Sequence, residues 1–469
     1  MDSLEKALTV AIDSVAKLSP ELTAEAAILS ASLTAAPRVV VVGRLKAGKS
    51  TLVNALIGAP VSETAALEAT NVVTVFQYGA PDRAEAVLKD GSSIPIETMR
   101  GQQAKLPVPA DQIAYVNRWI TSAAVDKYSL IDTPGLATLT EANEDATRAA
   151  LLDDQTRAAS VDADAAIFLF DSVPHHDEVA FLQDLGFTPL NTLGILSRAD
   201  DFGEGALGED DPLEGAKEYA DELQDILSQH LTKVIPVAGL LAETAHTGRV
   251  TEFLARSLSE FSAMPLSELI PVLFSTSQSR KKESALSLMS QVGEYGFFKG
   301  RAAATLGGAA LSDWLVEKSN LDQVRSFLLE SLTPFAQLHR AGRIVGSMEQ
   351  LSYRYPEHRE RIRSIISQLR NDPRMTSALL LQDLKSLLES QAQPEILEEV
   401  IRIIGGSSHG QKLGIDRFAS GFEIVEAVRK RRAWLDGLSM TFLSAAEEST
   451  IFNLRKIYAE LELAGEALT

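Results

Sequence analysis

Gly43-Arg44-Leu45-Lys46-Ala47-Gly48-Lys49-Ser50 fits G-x-x-x-x-G-K-[ST] at every fixed position, and that spacing carries a mechanism. Glycines let a loop wrap close to phosphate oxygens, while its backbone N–H groups and the first turn of the following helix face the negative charge. Gly43, Arg44, Ala47, Gly48, Lys49, Ser50 and Thr51 are therefore expected to cradle the phosphates of a nucleotide. The Lys49 ammonium is expected to reach the β- and γ-phosphates, and the Ser50 hydroxyl to ligate Mg²⁺. Asp132-Thr133-Pro134-Gly135 follows the apolar run Tyr128–Ile131. There Asp132 is placed to hold the same metal, usually through water, and the Gly135 N–H to meet the γ-phosphate. Alone such a tetrapeptide reads as a turn; downstream of a phosphate loop and behind a buried strand it reads as part of the site.

Those residues need a scaffold, and the sequence predicts one. Val39-Val40-Val41-Val42 is a continuous β-branched run, the pattern of a central parallel strand covered on both faces. Tyr128–Ile131, Ala166–Phe170, Leu193–Leu196 and Val234–Val237 repeat it, with helical patterns between several of them. The expected fold is an α/β P-loop domain with a mostly parallel, doubly wound sheet, followed by an all-α remainder after about residue 240. Before the first strand, Leu4, Leu8, Ile12, Val15 and Leu18 form one helical stripe. Ser19-Pro20-Glu21 opens a second stripe with Leu22, Ala26, Leu29 and Leu33. Both stripes must find a partner elsewhere in the chain.

Composition narrows the function. The chain has 469 residues, 45% hydrophobic and 23% charged, consistent with two or three packed domains. Lys and Arg total 44 against 64 Asp and Glu, a formal charge of -20. Such a surface repels phosphate backbones and argues against nucleic acid as a partner. It also repels anionic lipid unless a local basic patch reverses the field. There are no cysteines, which excludes thiolate metal sites and cysteine nucleophiles and suits a reducing cytoplasm. No apolar run reaches bilayer-spanning length, and Asp2 and Glu5 stand where a signal peptide is basic, so a cytoplasmic, at most peripheral, location is expected.

Ser197-Arg198-Ala199-Asp200 follows the strand Leu193–Leu196 and resembles the [NT]-K-x-D element of GTPases. A carboxylate there accepts hydrogen bonds from the guanine N1–H and exocyclic amine, donors that adenine lacks. Asp200 is then the base reader, and the Arg198 stem lies along the purine. Ser197 is shorter than Asn, which leaves its tie to the phosphate loop open. Ala238-Gly239-Leu240 follows the strand Val234–Val237, where GTPases set a backbone loop against the base.

With these motifs in order, the segments Val41–Leu56, Glu68–Gly79, Ile131–Leu136, Leu196–Asp200 and Pro236–Ala245 resemble those of bacterial dynamin-like GTPases, specifically the actinobacterial isoniazid-inducible type and most closely its IniC branch. The resemblance covers the GTPase domain well and the helical remainder loosely. It implies a GTP/GDP- and Mg²⁺-binding hydrolase whose GTPase domains self-associate or pair with a second dynamin-like protein. It further implies peripheral contact with lipid at the inner face of the plasma membrane and membrane remodelling. It implies neck helices over 1–36, a GTPase domain over 37–335 and a helical trunk over 336–469. Thr70 is the expected mobile threonine closing on Mg²⁺ and the γ-phosphate, with Thr64 and Thr74 as rivals. An insertion is expected around Glu85–Asp126. Leu136 stands where Ras-type enzymes carry a water-orienting Gln, so basal turnover should be slow. Lys46 matches the dynamin position that holds a cation or basic finger; it neutralises charge between the β- and γ-phosphates in a dimer, or it is a solvated lysine. Other classes stay open: a ribosome-associated GTPase, against which the acidity counts, and a slow GTP-gated scaffold.

Several further features have two readings. Arg429-Lys430-Arg431-Arg432 with Trp434 is the one dense basic cluster, suited to a membrane interface or to a salt-bridged helix face. Tyr295-Gly296-Phe297-Phe298-Lys299-Gly300 is a wedge or close helix packing, and Gly405–Gly414 and Asn371–Thr376 are candidate trunk tips. His175 and His176, adjacent in sequence, point about 100° apart on a helix and make a poor metal pair. Helices are expected from Pro394 to Gly405 and, at the C-terminal end, with Ile451, Leu454, Tyr458 and Leu461 on one face.

Overall fold

A computed structural model describes residues 4–44, 46–61, 72–97, 106–133, 163–185, 187–275, 279–390, 392–438 and 442–468. They form two compact units, residues 36–333 and residues 1–35 with 334–469.

The first unit is built on a nine-stranded sheet: β1 (Arg38–Gly43), β2 (Thr74–Tyr78), β3 (Arg83–Leu88), β4 (Ser93–Ile96), β5 (Ile113–Ile120), β6 (Ser129–Asp132), β7 (Ala165–Phe170), β8 (Thr192–Ser197) and β9 (Lys233–Val237). Their order is β4-β3-β5-β2-β6-β1-β7-β8-β9. From β6 to β9 every neighbouring pair is parallel. The valine run explains why β1 sits at the centre. Val39 and Val41 face a core with Leu52, Leu56, Leu321 and Val324. Val40 and Val42 face the opposite core, with Ile131, Phe168, Ala216 and Leu223. At about 1.5–3 kcal/mol per fully buried valine, solvating either face would forfeit much of the domain's stability. The sheet is therefore covered on both sides, as a doubly wound fold requires. On one face lie α3 (Lys49–Ile57) and the helix Leu321–Phe327, and on the other the helix Pro212–Leu227.

The other half of the sheet is mixed. β2 runs antiparallel to β6 and parallel to β5, and β3 is antiparallel to both β4 and β5. The segment expected as an insertion around Glu85–Asp126 thus contributes strands that extend the sheet. Its period-two burial (Ala84, Ala86, Ile96, Ile113 and Val116 in one small cluster) is the physical reason.

Beyond β9, helices carry a separate aromatic core in which Phe261, Tyr295, Phe297, Phe298 and Trp314 meet. Tyr295 stacks on Trp314 at 5.9 Å, and a side chain at Gly300 would strike that indole. Residues 295–300 are close helix packing, and the wedge reading is discarded.

The second unit is helical. α1 (Leu4–Ala16) and α2 (Pro20–Thr34) bury Leu8, Ile12, Val15, Leu22 and Ala26 against Ile344, Val345, Met348, Ile362 and Ile366. The partner of the N-terminal stripes therefore comes from more than three hundred residues downstream. Ser19 caps α2 by accepting from Leu22 N–H at 3.2 Å, with Pro20 in the first turn. The helix Pro394–Gly405 has the predicted bounds, and the helix Ala445–Ala467 buries the predicted face of Ile451, Leu454, Tyr458 and Leu461. Between them sits a buried Glu399 that accepts from Tyr458 Oη and Arg431 and forms an ion pair with Arg402.

Candidate nucleotide site

The phosphate loop hangs from the C-terminal end of β1. A Cβ at Gly43 would lie 2.5 Å from the carbonyl oxygen of Leu169 in neighbouring β7, so the strand end admits no side chain. Gly48 takes φ 93°, as its glycine permits, and stands at the N-terminus of α3 without a side-chain cap. The helices opening at Ser19, Asp211, Thr251 and Ser279 each spend a side chain on that task. α3 instead leaves its first N–H groups for an external acceptor. The buried Lys49 ammonium meanwhile donates to the carbonyls of Gly43 and Arg44, both at 2.8 Å. Burial pushes its pKa down to about 8, against the pull of the Asp132 carboxylate. This lysine braces the loop.

Asp132 ends β6 in register with Val41 of β1, and the next residue anchors the chain: the Thr133 hydroxyl donates to Val41 O at 2.7 Å. Ser50 and Asp132 are hard oxygen donors on neighbouring elements, which suits Mg²⁺. Among the described residues no group of three His, Cys, Asp or Glu could hold a metal ion by itself. A cation held here would need further oxygen ligands from outside the chain. Thr70, its rival Thr64, Gly135 and Leu136 lie outside the described residues, while Thr74 lies in β2.

At the other end, β8 delivers Ser197-Arg198-Ala199-Asp200. The Ser197 hydroxyl donates to Phe170 O at 3.2 Å, on β7 and not on the phosphate loop. Arg198 makes the tie that Ser197 is too short to make. With its backbone at φ 57°, its guanidinium donates to Lys46 O at 3.0 Å. Lys46 itself adopts φ 64°. Half-buried Asp200 has its pKa raised to about 6 by burial, with Asp201 adding to the rise and Arg198 opposing it. The helix Gly239–His246 follows β9, and its approach is pinned where Ala238 N–H donates to Ser319 O and the Asn320 amide donates to Pro236 O.

These pieces open on one cavity of about 450 Å³, a size typical of small-ligand sites. Lys46, Ala47, Gly48 and Thr51 line one end, and Ser197, Arg198, Asp200 and Gly239 the other. Arg44 does not line it: its guanidinium forms a two-pronged ion pair with Glu178 at 2.5 and 2.8 Å. Glu178 also accepts from His175 N–H, which accounts for the His175–Glu178 segment as a helix start.

Two neighbours were not foreseen. Glu294 lines the cavity, and Gly293 breaks the helix Arg280–Lys299 with φ 72°. A Cβ at Gly293 would lie 3.2 Å from Asp200 Oδ2. The signal was a glycine within a helical pattern, but nothing local ties it to a loop far upstream.

Fold and site together define a P-loop nucleotide-binding protein. Residues 39–183 match the model of the Dynamin family. Over 467 residues, 92% of each chain, the sequence is 29% identical to the isoniazid-induced protein IniC of Mycobacterium tuberculosis. IniA of the same organism is 39% identical over 77 residues, 16% of this chain and 11% of IniA. One solved chain, from an oligomerised bacterial dynamin pair described as sensing and tethering membranes, is 15% identical at a TM-score of 0.40. That alignment covers 95% of this chain, which spans 57% of the solved one. LeoA, a bacterial dynamin GTPase from ETEC, aligns at a TM-score of 0.28 and 12% identity over 99% of this chain and 75% of its own. This chain carries a dynamin-family GTPase domain and is similar over most of its length to IniC.

Proposed function

We propose that GTP lies across the 450 Å³ cavity, with its phosphates on Gly43–Thr51 and its guanine on Asp200, and that its hydrolysis drives pairing and membrane remodelling. One observation carries the reading: uncapped α3 and the Asp200 carboxylate face the same space, with Arg198 bolting one end to the other.

In this reading the incoming anion takes over Lys49, which donates to two carbonyl oxygens of the loop, and the N–H groups of α3 receive phosphate oxygens. Ser50 and Asp132 would hold Mg²⁺, which would neutralise phosphate charge. Asp200 accepts from the guanine N1–H and amine, the Arg198 stem lies along the ring, and Gly239 brings backbone against its edge. Lys46 brings its ammonium to the developing charge when a second GTPase domain orders the loop.

The basic cluster does not supply the membrane contact. Arg429 and Arg432 pair with Glu462, Lys430 with Glu426, and Arg431 with Glu399. No helix among the described residues is long and apolar enough to cross a membrane. Exposed Phe418 and Phe422, with Arg417 lying over the Phe418 ring at 4.8 Å, are better suited to touch lipid peripherally at the inner face of the plasma membrane. Nucleic acid is not a partner in this account.

The test is turnover measured against protein concentration with GTP and ATP in parallel. Specific activity rising with concentration for GTP alone is expected, with Lys46→Ala losing the concentration-dependent part. Equal turnover of ATP refutes the base assignment, and a flat profile refutes the pairing.

A further inference from the structure

The helical unit contains a cavity of about 350 Å³ between the helices Thr333–Arg354 and Thr376–Glu389. His339, Arg343, Lys385, Gln382 and Ser386 line it, with Glu389 as the lining carboxylate. A cationic lining is unexpected in a chain of formal charge -20. Gly342 belongs to the same wall, and its carbonyl accepts from Gln382 Nε2 at 3.1 Å.

The histidine gives the cavity its polarity. Lys385 Nζ stands 2.9 Å from His339 Nε2, and since an ammonium only donates, Nε2 is the acceptor. The ring proton then resides on Nδ1, which is buried without a hydrogen-bond partner among the described residues. A buried donor of that kind costs free energy until an acceptor arrives. Lys385 and Arg343 depress the pKa of His339 further below the ordinary value than burial alone does, and burial with Arg343 brings Lys385 down to about 8. Donors and like charges converge here, with Glu389 as the carboxylate on the wall.

The geometry points to a binding site for a phosphate-bearing anion, held by Lys385 and Arg343 and accepting the Nδ1 proton of His339. The cavity has room for a phosphate and the small group that carries it. The inference is independent of the GTP site.

The test uses the full-length protein saturated with GDP, so that the phosphate loop is filled. Pyrophosphate is titrated while the His339 imidazole resonances are followed by NMR. Vesicles of neutral lipid, with and without phosphatidic acid, form a second arm. Saturable perturbation of His339 is expected, weakened at least about tenfold in Lys385→Gln and Arg343→Gln. Thermal unfolding gives an internal control. Without anion the Lys385→Gln variant should match or exceed the parent, while only the parent should gain melting temperature with pyrophosphate. Response to pyrophosphate identifies a soluble ligand; response only to phosphatidic acid vesicles, abolished by the same variants, identifies a lipid headgroup. No response of His339 in either arm, or a response the variants leave unchanged, overturns the proposal.

Discussion

In the proposed site Asp200 is the base reader, and its carboxyl group is sensitive to acid. Its raised pKa of about 6 means that its carboxylate, the form that accepts from guanine, is lost as pH falls through that value. Guanine binding favours the charged form, so bound Asp200 titrates lower than free Asp200. Affinity is therefore at its plateau above pH 6 and weakens as pH drops below it, while release of the proton makes binding pH-linked in that window. Measuring the GDP dissociation constant between pH 5 and pH 8 should show this slope, and Asp200→Glu should shift it. A constant affinity across the window would remove Asp200 from the base contact. The sequence exposed this residue because β8 and the tetrapeptide are contiguous. Arg198's tie to Lys46 O was not legible, because it depends on two left-handed residues whose conformations no spacing rule announces.

At the scale of elements, the broken helix Arg280–Lys299 props the base end. Its Gly293 sits at φ 72°, where an alanine is strained by about 1–2 kcal/mol, and the added methyl meets Asp200 Oδ2 at 3.2 Å. Gly293→Ala should lower guanine affinity several-fold with a small drop in melting temperature. Unchanged affinity would mean that the helix break is incidental. α3 and the central strands were readable from contiguous patterns, the valine run above all. The mixed half of the sheet was not. β3 to β5 are partly exposed, and their pairing depends on contacts across residues that hold no motif. Likewise the N-terminal stripes announced burial but not a partner in 341–378.

At the scale of the whole chain, the acidic balance and the pairing of residues 429–432 leave few places for lipid. Phe418→Ser with Phe422→Ser should abolish co-sedimentation with liposomes while leaving GTP turnover in solution intact; retained sedimentation would send the contact elsewhere. A single glance at the sequence suggested the basic run for that role. Glu426 pairs with Lys430 one turn away on the same helix, but Glu399 and Glu462 come from two other helices, and only the fold brings them to the run. The central claim, one cavity reading guanine through Asp200 while α3 holds the phosphates, is tested most directly by exchanging the acceptor. Asp200→Asn replaces an acceptor facing the guanine amine with a donor, and suits the carbonyl that xanthine carries there. Equilibrium binding of GDP and XDP to both proteins should show preference for GDP in the parent and for XDP in the variant. A variant that keeps its GDP affinity and ignores XDP would contradict the account.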